Sequence, residues 1–453
     1  NVSYIDTETG KSQFIKPIPP DGIELRFNWD AAMAQNPFQA CGLYFGSQFL
    51  HKSLDCGKTW EIISPDLTTN DTLKQRLSKN SGGLTPDVTA AENYTTIIAI
   101  APSPADENVI WVGTDDGNLQ LTTDGGKSWK NLSEKLPGCP KGVWIPQIEV
   151  SAKNAGEAFV VVNHYRRNDF RPFLYHTTDF GKSWKNLADE KQVDGFCRSV
   201  VQDPEESNLI FLGTEHGLYF SLDYGKNWQK WTEGFPSVPV SDMKIHPREH
   251  DLIIATFGRA AWIMDDIRPL REIAAAKKLP ETFKIFPASD GYLAWQKSVD
   301  ALRFSADAFY TAPNASRFVQ FRYFNPAPKM KDAEKKKEEK TETDKSNKKE
   351  EKIKVVVLNE AGDTVRNFSV KPDTGLVRLT WPMDVNGVRF PSRRDASADD
   401  DPPSGGNALP GKYKIFVSHK GVSDSTTATV FLDPRLKESP ADAVAKQNAR
   451  KRL

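Results

Sequence analysis

Residues Thr122–Trp129 read TTDGGKSW, and the same eight-residue pattern returns as SLDCGKTW at Ser53–Trp60, TTDFGKSW at Thr177–Trp184 and SLDYGKNW at Ser221–Trp228. The shared form, [ST]-x-D-x-G-x-[STN]-W, fixes five positions and recurs four times, so chance is excluded and an internal repeat is the first fact about the chain. Each position has a physical reason. The carboxylates of Asp55, Asp124, Asp179 and Asp223 are suited to accept backbone N–H bonds from a tight turn. The glycine supplies a backbone conformation closed to residues with a Cβ. Trp60, Trp129, Trp184 and Trp228 each open the next strand with a ring that packs on the turn. These eight side chains read as structural.

Outward from each box lie short β-prone runs. Thr95–Pro102, Asn108–Thr114 and Gly117–Thr123 precede the second box; Cys197–Val201, Asn208–Thr214 and Gly217–Ser221 precede the fourth. Strand, strand, tight turn, strand, box, strand is a four-stranded meander, the unit of a β-propeller blade. A fifth, degenerate copy runs through Val240–His246, Asp251–Phe257 and Ala260–Asp265 without the box Gly or Trp, as expected of a terminal repeat. Successive box aspartates are 69, 55 and 44 residues apart, which fits blades with variable loops such as Leu73–Glu92. The residues before Phe27 read as the last strand of another blade. The fold class expected is all-β: a propeller incomplete in this chain, followed by an immunoglobulin-like or fibronectin-like β-sandwich. A propeller closes to hide its edges, so the remaining blades are expected from the same longer protein or another chain.

The expected domains are blades over 1–272, a connector over 273–316, the sandwich over 317–435, and the start of a C-terminal helix over 436–453 with Ser439 as N-cap. Six strands make the sandwich: Arg317–Phe324, Lys354–Leu358, Val365–Val370, Gly375–Trp381, Lys412–Ser418 and Thr427–Leu432. Between the first two, residues 329–352 are almost wholly Lys, Glu, Asp, Ser and Thr, a composition that reads as a disordered charged loop.

Composition narrows the function. Lys+Arg and Asp+Glu both total 60, so no long-range field favours nucleic acid. No run of 18 apolar residues is present, so no transmembrane segment is expected. Cys41, Cys56, Cys139 and Cys197 form no CxxC pair and suggest no metal. Cys41 and Cys56, on one hairpin, either pair in an oxidising compartment or stay free like the rest.

The boxes resemble those of sialidases and sortilin-type receptors. With Asn28-Trp29, ISPDLT at Ile63–Thr68, GTDDG at Gly113–Gly117, GTEHG at Gly213–Gly217, TFGR at Thr256–Arg259, DDIRPL at Asp265–Leu270, LPGKY at Leu409–Tyr413 and DPR at Asp433–Arg435, the chain is similar to bacterial sortilin-like BNR (Asp-box) repeat proteins often labelled "glycosyl hydrolase". That resemblance implies blades before Asn1, helical sequence after Leu453, and an exported protein, periplasmic or at the outer membrane or cell surface. Phe257 stands where the family usually has a His.

In a four-stranded blade the box turn joins the third and fourth strands, so the turn between the second and third lies at the opposite rim. That rim is expected to carry Asp115, Asp116, Asn163, His164, Tyr165, Arg166, Arg167, Glu215, His216 and Arg259. Asp115, Asp116 and Glu215 are the candidate catalytic carboxyl groups, since glycoside hydrolysis needs two. His164, Tyr165, Arg166, Arg167, His216 and Arg259 are the binding candidates; Arg259 is equally placed to clamp Asp265 or Asp266. A sialidase-like set, Tyr165 with three arginines, is disfavoured because the arginines cluster on one or two blades. The expected function is an exported scaffold binding a protein, peptide or glycan partner at the cell envelope, within an envelope complex; the alternative is a carbohydrate-active hydrolase on that rim. No cofactor or metal is called for.

Overall fold

A computed structural model describes residues 2–80, 93–294, 316–327, 351–391, 397 and 400–452. The box chemistry organises its first unit, Asn1–Lys277. In the second box the Asp124 carboxylate accepts from Ser128 N at 2.9 Å and Ser128 Oγ at 2.6 Å, and from Thr122 Oγ1 at 2.8 Å. Thr122 Oγ1 in turn accepts from Gly126 N at 2.9 Å. Equivalent bonds close the other three boxes through Ser53 and Thr59, Thr177 and Ser183, and Ser221 and Asn227. The Ser/Thr at the head and the Ser/Thr/Asn near the tail are therefore hydrogen-bonding members of the turn.

Each box is also a latch onto what precedes it. A Cβ on Gly57, Gly126, Gly181 or Gly225 would meet Ile15, Ile63, Leu132 or Leu187 at 2.5 to 2.8 Å, and all four glycines have φ between 71° and 101°. Trp60, Trp129 and Trp228 donate Nε1–H to the carbonyls of Ile15, Ile63 and Leu187. Trp184 donates instead to Gly181 O and meets Trp111 edge-on at 6.0 Å.

Four antiparallel sheets of four strands follow. Blade 1 is Met33–Gln35, Leu43–Gly46, Leu50–Ser53 and Glu61–Ile62; blade 2 is Ile97–Pro102, Ile110–Thr114, Leu119–Thr122 and Lys130–Asn131. Blade 3 is Trp144–Val150, Ala158–His164, Asp169–Thr177 and Lys185–Asn186; blade 4 is Cys197–Gln202, Ile210–Thr214, Gly217–Ser221 and Gln229–Lys230. Blade 5 has three strands, Val240–Ile245, Leu252–Thr256 and Ala261–Met264. The first strands of successive blades pack side by side in chain order, as the inner strands of a propeller do. Between neighbouring blades lie apolar cores, such as Trp111, Leu121, Val160 and Tyr175 between blades 2 and 3.

The segment before Phe27 is a two-stranded hairpin, Ser3–Ile5 with Ser12–Phe14, rather than one strand. Ile15 follows its second strand and gives the first box the contacts that Ile63 and Leu187 give later ones. After blade 5 the helix Arg268–Ala276, begun by Pro269 in its first turn, ends the unit. Its Arg271 holds Asp203 at 2.8 Å and Glu205 at 2.8 Å, fastening the helix to blade 4. Cys41 forms a disulfide with Cys56 of the first box; Cys139 and Cys197 are free thiols.

The second unit, Lys278–Leu453, is two sheets around one core. Lys284–Ile285, Val319–Asn325 and Gly375–Trp381 make one. Gly291–Leu293, Val422–Leu432, Gly411–His419, Ile353–Leu358 and Thr364–Val370 make the other, with Gly291–Leu293 parallel to its neighbour. Phe321, Tyr323, Val355, Val357, Trp381, Ile415 and Val417 fill the space between them. Two strands thus come from the stretch expected to be connector, because Phe283, Ile285 and Ala288 are apolar enough to join the core. A hairpin, Asp384–Asn386 with Ser404–Asn407, and the helix Pro440–Arg452 complete the unit. Ser439 and Asp442 cap that helix reciprocally. Of the charged stretch 329–352, all but the last two residues lie outside the described residues, as do 81–92 of the Leu73–Glu92 loop and much of the loop after Arg394. Among the described residues, no helix is long and apolar enough to cross a membrane.

Candidate functional site

The first strands of the five blades converge on a cavity of about 810 Å³. Its wall is built from Ala32 and Met33, Ile98 and Ile100, Trp144 with Pro146 to Glu149, Arg198, and Asp242 with Lys244, one group from each blade in turn. Tyr165, Arg166, Phe196 and Phe257 form its lip. Because strand 1 of blade 3 pairs Trp144 with Asn163 and Val150 with Ala158, Trp144 lies at the rim of the second-to-third-strand turns. Glu149 lies five residues further in, about 16 Å along an extended strand.

Glu149 is the unusual group. Its half-buried side chain lines the cavity among packed inner strands, and the partial loss of hydration there pushes its pKa up to about 7. Lys244 across the cavity pulls the other way, and the charge of Asp242 adds to the rise. A carboxyl group held near neutrality in a cleft is suited to donate a proton. Sequence reading missed it. Glu149 sits in the plain β-run QIEV, and only the meeting of five first strands shows that it faces a cavity.

The three carboxyl groups nominated from sequence are placed otherwise. Asp115 is fully buried: its oxygens accept from Thr96 N at 2.8 Å, Thr96 Oγ1 at 2.8 Å and Asn28 Nδ2 at 3.3 Å. Asp116, also buried, accepts from Thr69 N and Thr69 Oγ1 at 2.7 Å each and from Thr114 Oγ1 at 2.5 Å. Burial holds both carboxyls above the usual carboxylate range, for Asp115 with help from the neighbouring Asp116 charge. Neither lines the cavity; they tie blade 2 to the segments at Asn28 and Thr69. Glu215 accepts from Arg198 Nε at 2.6 Å and thereby orients an arginine that does line it.

Of the binding candidates, Tyr165 and Arg166 belong to the lip. Tyr165 stacks on Phe196 with centroids 4.6 Å apart, and the Arg166 guanidinium lies 3.4 Å above the Trp144 ring. Asn163 lines the cavity beside them, while His164 is half-buried at the end of its strand and Arg167 is exposed in the turn that follows. His216 pairs through Nδ1 with Asp194 at 2.9 Å and borders a separate rim groove of about 530 Å³ with Phe170 and Asp169. Arg259 is exposed and makes no ion pair among the described residues; Asp266 is held by Arg268 at 2.7 Å instead. Phe257, where the resembled family has His, is 75% exposed on the cavity lip. Among the described residues no cluster of three or more His, Cys, Asp or Glu side chains is placed to hold a metal ion.

Residues 173–379 match the family described as sortilin, neurotensin receptor 3 (Sortilin-Vps10). Over that stretch, which is under half of its length, the chain is similar to sortilin-type proteins. The chain is also 34% identical over 270 residues to a probable oligoxyloglucan-reducing end-specific xyloglucanase of Neosartorya fischeri, covering 50% of this chain and 30% of that protein. It therefore spans under a third of that relative's length. Among solved structures, a GH74 xyloglucanase from Xanthomonas campestris aligns at 19% identity over 52% of this chain and 36% of its own, with a TM-score of 0.39. The GH74 enzyme of Niastella koreensis aligns at 17% identity over the same shares, with a TM-score of 0.38.

Proposed function

We propose that the inner-strand cavity of this chain is a carbohydrate site of glycoside-hydrolase type, with Glu149 as its proton donor. The observation that carries it is Glu149 itself: a carboxyl group whose pKa burial pushes up to about 7, in a cavity of about 810 Å³ that also holds aromatic and guanidinium groups. The likeness to a fungal xyloglucanase supports the carbohydrate part of the reading. Hydrolysis needs a second carboxyl group, and Asp242, near enough to raise Glu149's affinity for a proton, fills that role as base or nucleophile. Asp115 and Asp116 act as struts. The Cys41–Cys56 disulfide supports an exported, oxidising location.

The test is release of reducing ends from xyloglucan and other polysaccharides by the protein carrying this chain. Glu149→Gln should lower turnover about 100-fold or more while the protein stays folded. Undiminished hydrolysis by Glu149→Gln removes it as donor, and unaltered activity in Asp242→Asn removes its partner.

A second reading, capture of a protein or peptide partner, is favoured by the open face of blade 5. There Phe257, Ile253 and Ile263 are exposed, whereas the equivalent strands of blades 2 to 4 are buried on both faces. Stable co-purification of an envelope protein, lost in Phe257→Ser with Ile263→Ser, is the result that reading expects.

A further inference from the structure

We infer that the lip of the cavity on blades 3 and 4 recognises a carboxylate-bearing sugar, with Arg166 as the residue that takes the carboxylate and Arg198 beside it. This rests on the carbohydrate reading above and names the substrate class of that site. Arg166 is half-buried and has no ion pair among the described residues. A guanidinium that has lost part of its water without gaining a counter-ion is an unfilled binding group. Its flat face is satisfied by the Trp144 ring at 3.4 Å, and the Tyr165 ring lies 5.0 Å away. Its N–H edge, which matches both oxygens of a carboxylate, is left to the cavity.

Arg198 completes the arrangement. Its Nε is held by Glu215, while its two terminal nitrogens have no partner among the described residues. It lies 5.2 Å from the Phe196 ring, and Phe196 stacks on Tyr165. Two guanidinium groups thus flank one aromatic pair. A hexuronic acid has the matching halves, an apolar C–H surface for aromatic contact and a carboxylate for the arginine. Charge across the opening sets direction. The acidic groups Asp30 and Asp242 come from blades 1 and 5, so an entering carboxylate is turned towards blades 3 and 4. Lys244 and Glu149 lie deeper. An acidic peptide offers the carboxylate without the sugar ring.

Calorimetric titration of the protein at about pH 7 with three probes tests this: a galacturonic acid trisaccharide, the neutral galactose trisaccharide and a tri-glutamate peptide. The acidic sugar should bind at least about 10-fold tighter than the neutral one at low salt, with the gap narrowing at high salt. Arg166→Gln should weaken the acidic sugar about 10- to 100-fold and close the gap, with Arg198→Gln acting in the same direction but less. If Arg166→Gln does not fold, Arg166→Lys, which keeps the charge but not the planar fork, should still reduce the preference. Equal affinity for the two sugars, unchanged preference in folded variants at both arginines, or peptide binding as tight as the acidic sugar overturns the inference. Binding of the neutral sugar without preference leaves the carbohydrate cavity standing, whereas binding of neither sugar removes both.

Discussion

The outer and inner ends of the same blades treat a carboxylate in opposite ways. At the boxes Asp55 and Asp124 sit half-buried at the surface, and donors from Thr59 and Ser128 pull their pKa values down to about 2. Inside, Asp115 and Asp116 are shut away from water and Glu149 is half-buried at the cavity wall, and desolvation drives all three values up. The box carboxylates are stabilised as anions by a turn built to receive them. The inner ones have their proton affinity raised by desolvation, and of these only Glu149 opens on a cavity. Hydrogen-bonded charge at the outer end closes each box turn, whereas desolvation at the inner end raises the proton affinity of the carboxyl groups.

That contrast can be broken first at Asp115. Replacing it with Ala leaves Thr96 N, Thr96 Oγ1 and Asn28 Nδ2 without an acceptor. Chemical denaturation should show a loss of about 3 kcal/mol, and a loss near zero would deny that Asp115 is a strut. Replacing Cys41 and Cys56 together with Ser removes a crosslink across 15 residues that ends in the first box, with an expected loss of about 3 kcal/mol. If unfolding is not cooperative across blades, only the signal from blade 1 will shift.

The pH limbs sharpen the contrast through their sign. For Asp55 and Asp124 the folded pKa lies below the unfolded value of 3.8. Their contribution is present above about pH 4 and is lost as pH falls through about 2. Asp124→Asn should therefore lower the melting temperature near neutrality, with the difference from the wild type vanishing as pH falls through about 2, so that the acid limb of a thermal melt series flattens. An unchanged acid limb contradicts the hydrogen-bond account of the boxes.

Much of the outer end was legible in the sequence because its logic is local. A Ser/Thr, an Asp, a Gly, a second hydroxyl or amide and a Trp within eight residues specify one turn, and Thr122 or Ser128 can be read without knowing the fold. The sandwich strands were equally plain in their alternation, as at Gly375–Trp381. The inner end was not legible, since Glu149 and Arg198 owe their meaning to strands contributed by different blades, and nothing in IEV or CRS marks a channel. Asp115 and Asp116 misled for a related reason. The pair GTDDG looks like a rim turn, and only tertiary contact with Asn28 and Thr69 turns its carboxylates inward. Lys284–Ile285 and Gly291–Leu293 fall in the stretch expected to be connector, because strands of two or three residues carry too little pattern to be assigned to a sheet.

Glu149 bears the central claim, and its own titration tests it. The unfolded value of 4.5 and the folded value of about 7 mean that folding works against ionising this group. The cost is absent below about pH 4.5 and grows until about pH 7, where it reaches on the order of 2–3 kcal/mol. Unfolding free energies of the wild type and Glu149→Gln, measured from about pH 4 to pH 8, should coincide at the acid end. The variant should then grow steadily more stable than the wild type up to neutrality. A constant difference across that range, or a variant that becomes the less stable of the two as pH rises, would mean that Glu149 is an ordinary ionised carboxylate and that the inner cavity holds no proton donor.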